Sequence, residues 1–283
     1  MDIIDPLTLT KEQQAMEFFK CRRNPFYFIY NYIKIPEIGG ELKYKPELMH
    51  SKLKQTVRSA IIQHRVILMA SRQLGKSTII ACIIEWACNF FPRNSANILN
   101  ANKEYSLANL QMIKYIHEQL PNFLRTPLKY KGERKTFIEY KNDSIIRAFY
   151  PGTSTDPATI ARSLTSPILY IDEAAHIRHI AAAFGAAQPT LSRARQQAEK
   201  NKYPYFIAIT STPNSSFSVG KWFYDMYQFA IDAENIFDEK DLFVSEANEV
   251  VNNPERNGFI QIKYHWSEDP TKDENGMLIN VEN

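Results

Sequence analysis

The chain has 283 residues, 44% of them hydrophobic, with 34 Lys or Arg against 31 Asp or Glu for a formal net charge of +3. That is enough chain and apolar content for one large or two modest domains with a buried core, and the plentiful aromatics and mixed charges exclude a disordered polymer. The balance conceals an asymmetry: residues 232–283 carry 13 acidic against 4 basic groups, net −9, whereas residues 1–231 carry 30 basic against 18 acidic, net +12. A basic body with an acidic end fits a nucleic-acid partner, and also an ordinary solvated basic face. Cys21, Cys82 and Cys88 show no metal-ligand spacing. Cys82 and Cys88 fall in an apolar helical run and read as core, and an odd count without a secretory leader points to a reducing cytoplasm. The longest apolar run, Ile79 to Phe91, is broken by Glu85 and Asn89 and is too short to cross a bilayer, so no membrane partner is expected.

Residues 1–40 read as helices and turns outside the main sheet. Thr10 and Gln13 have the spacing of a capping box and predict a helix start. Asn24-Pro25 opens an aromatic stretch, Phe26, Tyr27, Phe28, Tyr30 and Tyr32, read as packing residues rather than a base-stacking platform. Gly39-Gly40 marks a break before the main core, residues 41–230. Lys45 to Gln63 has helical periodicity, with Leu48, Leu53, Val57, Ile61 and Ile62 on its buried side.

Val66 to Ala70 is a run of apolar, largely β-favouring residues leading straight into Ser71-Arg72-Gln73-Leu74-Gly75-Lys76-Ser77-Thr78, after which helical periodicity runs to Phe91 and stops at Pro92. Strand, loop and helix in that order make a phosphate-binding loop. Loop and helix N–H groups point at phosphate oxygens, and the helix dipole favours negative charge there. Gly75 permits close backbone approach, Lys76 reaches the β and γ phosphates, and Ser77 is placed to ligate Mg²⁺. Ala70 stands where the usual pattern begins with Gly, so a strict match fails and a chance Gly-Lys-Ser at a helix start remains the alternative.

Ala96 to Ala101 reads as a second buried strand, and Lys103 to Leu120 as an amphipathic helix stopped by Pro121. Thr136 to Tyr140 and Ser144 to Tyr150 flank Asn142-Asp143 and read as a hairpin. Strands alternating with helices predict an α/β fold: a mainly parallel sheet flanked by helices, with the hairpin as an embellishment. The apolar strand Ile168 to Ile171 ends in Asp172-Glu173, where a parallel sheet places its ligands. Asp172 suits the Mg²⁺ site and Glu173 the polarisation of attacking water, unless both simply cap a strand end. Tyr205 to Ile209 runs into Thr210-Ser211-Thr212-Pro213-Asn214, whose hydroxyls either contact the γ-phosphate and its water or form a plain strand-to-turn junction.

With these three stretches in place, the chain resembles the large subunit of tailed-bacteriophage terminases, specifically its N-terminal packaging ATPase. The resemblance rests on residues 71–77, 168–173 and 210–214, together with Leu120-Pro121-Asn122-Phe123-Leu124, and spans roughly residues 40 to 230. The family often lacks the first Gly of the loop, which accommodates Ala70. The resemblance implies a P-loop NTPase of the additional-strand, catalytic-glutamate type, with ATP and Mg²⁺ as cofactors. It implies that Arg72 senses or stabilises the γ-phosphate in cis and that Arg162 reaches a neighbouring subunit's nucleotide in trans, the alternative for Arg162 being a surface or DNA-facing arginine. A guanidinium suits either task, being always charged and able to contact phosphate oxygens in pairs. Thr210, Ser211 and Thr212 would be the motif coupling hydrolysis to movement.

The implied activity is ATP-driven translocation of double-stranded DNA into a procapsid, in the host cell cytoplasm. The implied partners are the viral portal protein, the small terminase subunit and further copies of the chain in a pentameric ring. DNA would be gripped through its backbone, with Lys129, Lys131, Arg134 and Lys135 either a gripping cluster or a solvated loop. The family's aromatic-Gln pair for adenine has no clear counterpart, although Tyr44 and His50 lie in that neighbourhood. Residues 231–283 read as an acidic segment completing a small subdomain or linker, too short for the ribonuclease-H-like nuclease domain of complete large subunits. Asp269, Asp273 and Glu274 read as a solvated turn, so no nuclease activity is expected. Two other functions compete: another nucleic-acid motor such as a helicase or remodeller, and a nucleotide-binding assembly module that does not turn over ATP.

Overall fold

The computed structural model describes residues 8–37, 40–43, 49–130, 136–151, 156, 161, 164–214, 219–244, 247 and 253–268. Two helices, α1 (Lys11–Arg23) and α2 (Pro25–Tyr32), come first. Thr10 accepts from the Gln13 N–H while the Gln13 side chain accepts from the Thr10 N–H, the capping box that the spacing predicts. Asn24 ends α1 and caps α2, with Pro25 at the first helical position where a missing N–H costs nothing. Phe28, Ile29 and Tyr32 are buried in the core, which makes this aromatic stretch packing material. Gly40 opens the second strand of a hairpin, β1 (Lys34–Glu37) with β2 (Gly40–Lys43), where the sequence suggested a simple break.

Helix α3 (Ser51–Arg58) continues into a π turn, Ser59–Gln63. The wider turn rotates the last residues out of phase with the 3.6 repeat. Leu53 and Val57 are buried as expected, but Ala60 takes the next inward position and Ile62 is half exposed. Leu48 lies outside the described residues.

The central sheet has eight strands in the order β5-β6-β4-β7-β8-β3-β10-β9. These are β3 (Arg65–Ala70), β4 (Ser95–Asn100), β5 (Phe137–Glu139), β6 (Ile145–Phe149), β7 (Ile168–Asp172), β8 (Phe206–Ser211), β9 (Ile231–Asp232) and β10 (Ile260–Tyr264). Every neighbouring pair is parallel except β5 with β6. The hairpin is therefore more than an embellishment, because β6 pairs along its length with β4. Residues beyond 230 are also part of the sheet: β10 lies against β3, in register Tyr264 with Ala70. The sheet thus extends past the boundary that composition drew at 230.

Side chains alternate between the faces of a strand. Val66, Leu68 and Ala70 of β3, Ile168 and Tyr170 of β7, and Phe206 and Ala208 of β8 join one core with α1, α2, α3, α4 (Lys76–Phe90) and α5 (Lys103–Gln119). Ile67, Leu169, Ile171, Ile207 and Ile209 join the other, with α6 (Ile180–Lys200) and α7 (Lys221–Gln228). The three cysteines are free and buried. No helix among the described residues is long and apolar enough to cross a membrane.

Candidate functional site

The alternation that builds the core also builds the site. Continuing the parity of β7, β8 and β4 to their carboxyl ends puts Asp172, Thr210 and Asn100 on the α4–α5 face, at the edge where the loop after β3 turns into α4. The cleft there, about 560 Å³, is lined by the loop, the ends of these strands and the first turns of α5.

The loop is held in shape by its backbone. Ser71 N–H donates to the Tyr264 carbonyl at 3.1 Å, tying the loop to β10. Gly75 has φ +73°, a left-handed conformation that only glycine adopts without a Cβ penalty, and its carbonyl starts the α4 hydrogen-bond ladder by accepting from Ile79. Gln73 also has positive φ, at +60°. Leu74 is buried in the core, so its side chain anchors the loop. Arg72 and Gln73 are exposed at the cleft, Lys76 is buried in its floor, and Ser71, Ser77 and Thr78 are partly buried.

Asp172 is the hub. Its Oδ2 accepts from Ser77 Oγ at 3.2 Å, Asn100 Nδ2 at 3.1 Å and Asn109 Nδ2 at 2.9 Å. Its Oδ1 accepts from Thr210 Oγ1 at 2.6 Å and from the Glu173 N–H at 3.1 Å. Thr210 spends its one hydrogen on Asp172, so the 3.1 Å contact with Tyr170 is donated by the tyrosine hydroxyl.

Glu173 adopts a left-handed backbone, φ +51°, uncommon for a side chain of its size. Its Oε1 lies 3.0 Å from Lys76 Nζ. Its Oε2 accepts from Thr212 N–H at 3.2 Å and Thr212 Oγ1 at 3.0 Å, with Ser211 Oγ at 3.5 Å. Burial works to raise the Glu173 pKa, but the Lys76 charge and the hydrogen bonds from Lys76 and Thr212 outweigh it, and the net shift is downward. Ser211 also accepts from the Ala175 N–H at 3.2 Å. His176 stands next to this group, Nε2 3.4 Å from Thr212 Oγ1 and 3.8 Å from Glu173 Oε2. Asn214 Nδ2 lies 3.3 Å from His176 Nδ1 and donates to the Ala175 carbonyl at 3.0 Å.

The structure therefore brings together the loop, Asp172, Glu173 and the Thr210–Thr212 stretch. Arg162 lies outside the described residues, as do Tyr44, Lys131, Arg134, Lys135, Asp269, Asp273 and Glu274. Lys129 is ion-paired with Glu139 at 2.8 Å and Asp143 at 2.9 Å, a pairing that competes with any phosphate contact. His50 caps α3 and stacks at 4.3 Å on Tyr264, the residue whose carbonyl holds Ser71. Sequence reasoning missed Asn100, Asn109 and His176. A polar side chain ending an apolar strand of a parallel sheet was a usable signal for Asn100. Asn109 had none, being one amide on an amphipathic helix.

Comparison with known proteins bears on the family and the fold. Residues 67–276 match the family model described as "Terminase large subunit, T4likevirus-type, N-terminal". Among solved structures, the large terminase ATPase domain of Thermus phage P74-26 superposes with a TM-score of 0.52 at 20% identity, covering 80% of this chain and 84% of that one. The large terminase of a thermophilic bacteriophage superposes with a TM-score of 0.51 at 11% identity, covering 80% of this chain and 47% of that one. At these identities the superpositions speak for the fold, a helix-flanked, mostly parallel sheet shared with terminase ATPase domains. With its family model matched over most of its length, this chain belongs to the terminase large-subunit family and represents the N-terminal part of that subunit.

Proposed function

We propose that this chain hydrolyses ATP and uses the energy to drive double-stranded DNA into a viral procapsid. The observation that carries the reading is the pairing of two functions in one cleft: a loop lysine, Lys76, and a water-activating carboxylate, Glu173, held 3.0 Å apart above an Asp172–Ser77 contact.

The donor set fits a hydrated hard cation, since Ser77 Oγ and the Asp172 carboxylate are oxygen ligands on one wall of the cleft. Mg²⁺ held there by Ser77 and Asp172 would supply positive charge to offset the charge developing on the phosphate. The chain's own residues do the rest. Loop N–H groups and the α4 N-terminus bind the phosphates, and Lys76 moves from Glu173 to their oxygens. Glu173, still held by the Thr212 donors that favour its charged form, accepts a proton from the water that attacks the γ-phosphorus as the bond to the ADP oxygen breaks. Thr212 holds the Glu173 carboxylate through two donors, so loss of the γ-phosphate reaches β8 and the turn after it. Arg72, exposed at the cleft mouth, serves the same nucleotide, and Arg162 completes the site of the next subunit in a ring.

The ring, pentameric on the procapsid, engages portal protein and small terminase subunit in the host cell cytoplasm, and grips DNA through its backbone in a salt-dependent manner. No nuclease step belongs to this reading, so supercoiled plasmid should survive incubation with protein and Mg²⁺ or Mn²⁺. A non-hydrolysing assembly module gives no reason to hold an ionised glutamate against the loop lysine. The test is a packaging assay with portal-bearing procapsids, small subunit, linear duplex and Mg-ATP. DNase-protected DNA should accumulate with wild type and not with Lys76→Ala; an absence of protection with both, under conditions where ATP is consumed, would contradict translocation.

A further inference from the structure

The Asp172 carboxylate receives more donors than it can use. Ser77, Asn100 and Asn109 converge on Oδ2 while Thr210 and the Glu173 N–H converge on Oδ1, five donors on a group with about four lone-pair sites. A hydrated cation held by Ser77 and Asp172 donates water hydrogens to this same carboxylate, so one protein donor must give way. The five are not equally free to leave. Asn100 and Thr210 are fully buried at the ends of β4 and β8, the Glu173 N–H is fixed by the chain, and the Ser77 hydroxyl can donate to Asp172 while its lone pair faces a cation. Asn109 alone comes from a helix outside the sheet and the loop, is only partly buried, and lines the cleft.

We infer that Asn109 is a cation-displaced latch, holding the start of α5 against Asp172 and releasing it when the hydrated metal of the nucleotide takes its place. This rests on the nucleotide reading above and deepens it. The released element is well placed to carry a signal. Three residues before Asn109, Ser106 donates to the Phe149 carbonyl at 2.6 Å at the end of β6. Two helical turns beyond Asn109, His117 is pinned to Glu85 of α4 at 2.8 Å. The first turns of α5 can therefore shift at the cleft while the far end stays fixed to the helix that follows the loop.

The sign of the effect separates this role from simple support. A supporting residue strengthens metal-nucleotide binding, and its loss weakens it. A latch competes with the metal, and its loss strengthens binding, but only where metal is present. Alanine is a better helix former than asparagine, so Asn109→Ala should fold. Titrating ADP by calorimetry should give equal affinities for wild type and Asn109→Ala in EDTA. In Mg²⁺ the variant should bind about tenfold more tightly, near the low end of what a hydrogen bond to a charged group is worth. Hydrogen exchange supplies a second readout: Mg-ADP should increase exchange across residues 103–110 in wild type, and the variant should show that faster exchange beforehand. Weaker Mg-ADP binding by the variant, or an equal change with and without metal, overturns the latch while leaving the nucleotide reading intact. If ADP binds neither protein in either condition, the nucleotide reading fails and the latch falls with it.

Discussion

Lys76 Nζ and Glu173 Oε1 stand 3.0 Å apart, so the group assigned to phosphate and the group assigned to water neutralise each other across the cleft. Glu173 is a partly buried carboxylate whose burial alone would raise its pKa. Lys76→Ala removes the charge that offsets this burial. The variant should lose phosphate affinity, with nucleotide binding weakened at least tenfold, because both the ammonium contact and its charge are gone. The Glu173 pKa should rise in the same protein, measurable by following the carboxyl in a ¹³C-labelled sample.

A depressed Glu173 pKa fixes the sign of a pH effect. The unfolded reference is 4.5 and the folded value lies below it. Its stabilising contribution is therefore complete above the reference value and is lost as pH falls through the folded value. The kcat/KM profile, which reports the free protein with Lys76 against Glu173, should show no loss attributable to Glu173 protonation from pH 8 down to pH 5. An acid limb for kcat/KM centred near pH 6 would mean that another group, or a Glu173 in different surroundings, controls the rate.

Thr212 reaches Glu173 Oε2 through both its N–H and its hydroxyl. Thr212→Ala deletes one donor and keeps the other. Since the carboxylate should be held less firmly at the moment of proton transfer, kcat should fall about tenfold with little change in KM, the pattern of an interaction that matters in the transition state. Thr210→Val acts elsewhere: it removes the 2.6 Å donor to Asp172 and the 3.1 Å partner of the Tyr170 hydroxyl. Its effect should appear as lost stability in urea, about 1 kcal/mol, because the buried Tyr170 hydroxyl loses a partner while Asp172 keeps its other donors.

Glu85 is buried in α4, accepting from Tyr140 Oη at 2.5 Å and paired with His117 Nδ1 at 2.8 Å. Glu85→Ala strands both partners in the core and should cost about 3 kcal/mol, on the scale of about 1–3 per buried polar group left unsatisfied. The double variant Glu85→Leu, His117→Leu should recover part of that loss, since the imidazole is no longer stranded and only the Tyr140 hydroxyl stays unpaired. Urea unfolding of both proteins measures the difference.

Much of this was legible in the sequence because a parallel sheet writes itself plainly. Val66 to Ala70, Ile168 to Asp172 and Phe206 to Ser211 are apolar runs buried on both faces, and each ends in the polar residues that form the site. The loop was legible because Gly75, Lys76 and Ser77 must occur in that order for the chemistry. What stayed hidden was non-local or out of phase. The π turn at Ser59–Gln63 shifts the helical register, so Ile62 faces outward although its spacing says inward. Helix α6 carries Pro189 in its interior, which interrupts the pattern a helix presents to a reader. β10 joins the sheet beside β3 from 194 residues away, and nothing local in Ile260–Tyr264 names that neighbour. Glu85 looked like an interruption of an apolar run, but it is satisfied by His117 and Tyr140 from two other elements. Asn109 is invisible for the same reason: its meaning lies in Asp172, 63 residues away.

The central claim, that Glu173 activates water, is tested most directly by steady-state Mg-ATP hydrolysis with wild type and Glu173→Gln, nucleotide binding being measured alongside. Glutamine preserves the shape and can still accept from Thr212, but it cannot take a proton from water. The account predicts near-normal ATP binding by the variant and turnover reduced by about 10²-fold or more. Equal turnover in the two proteins would contradict it.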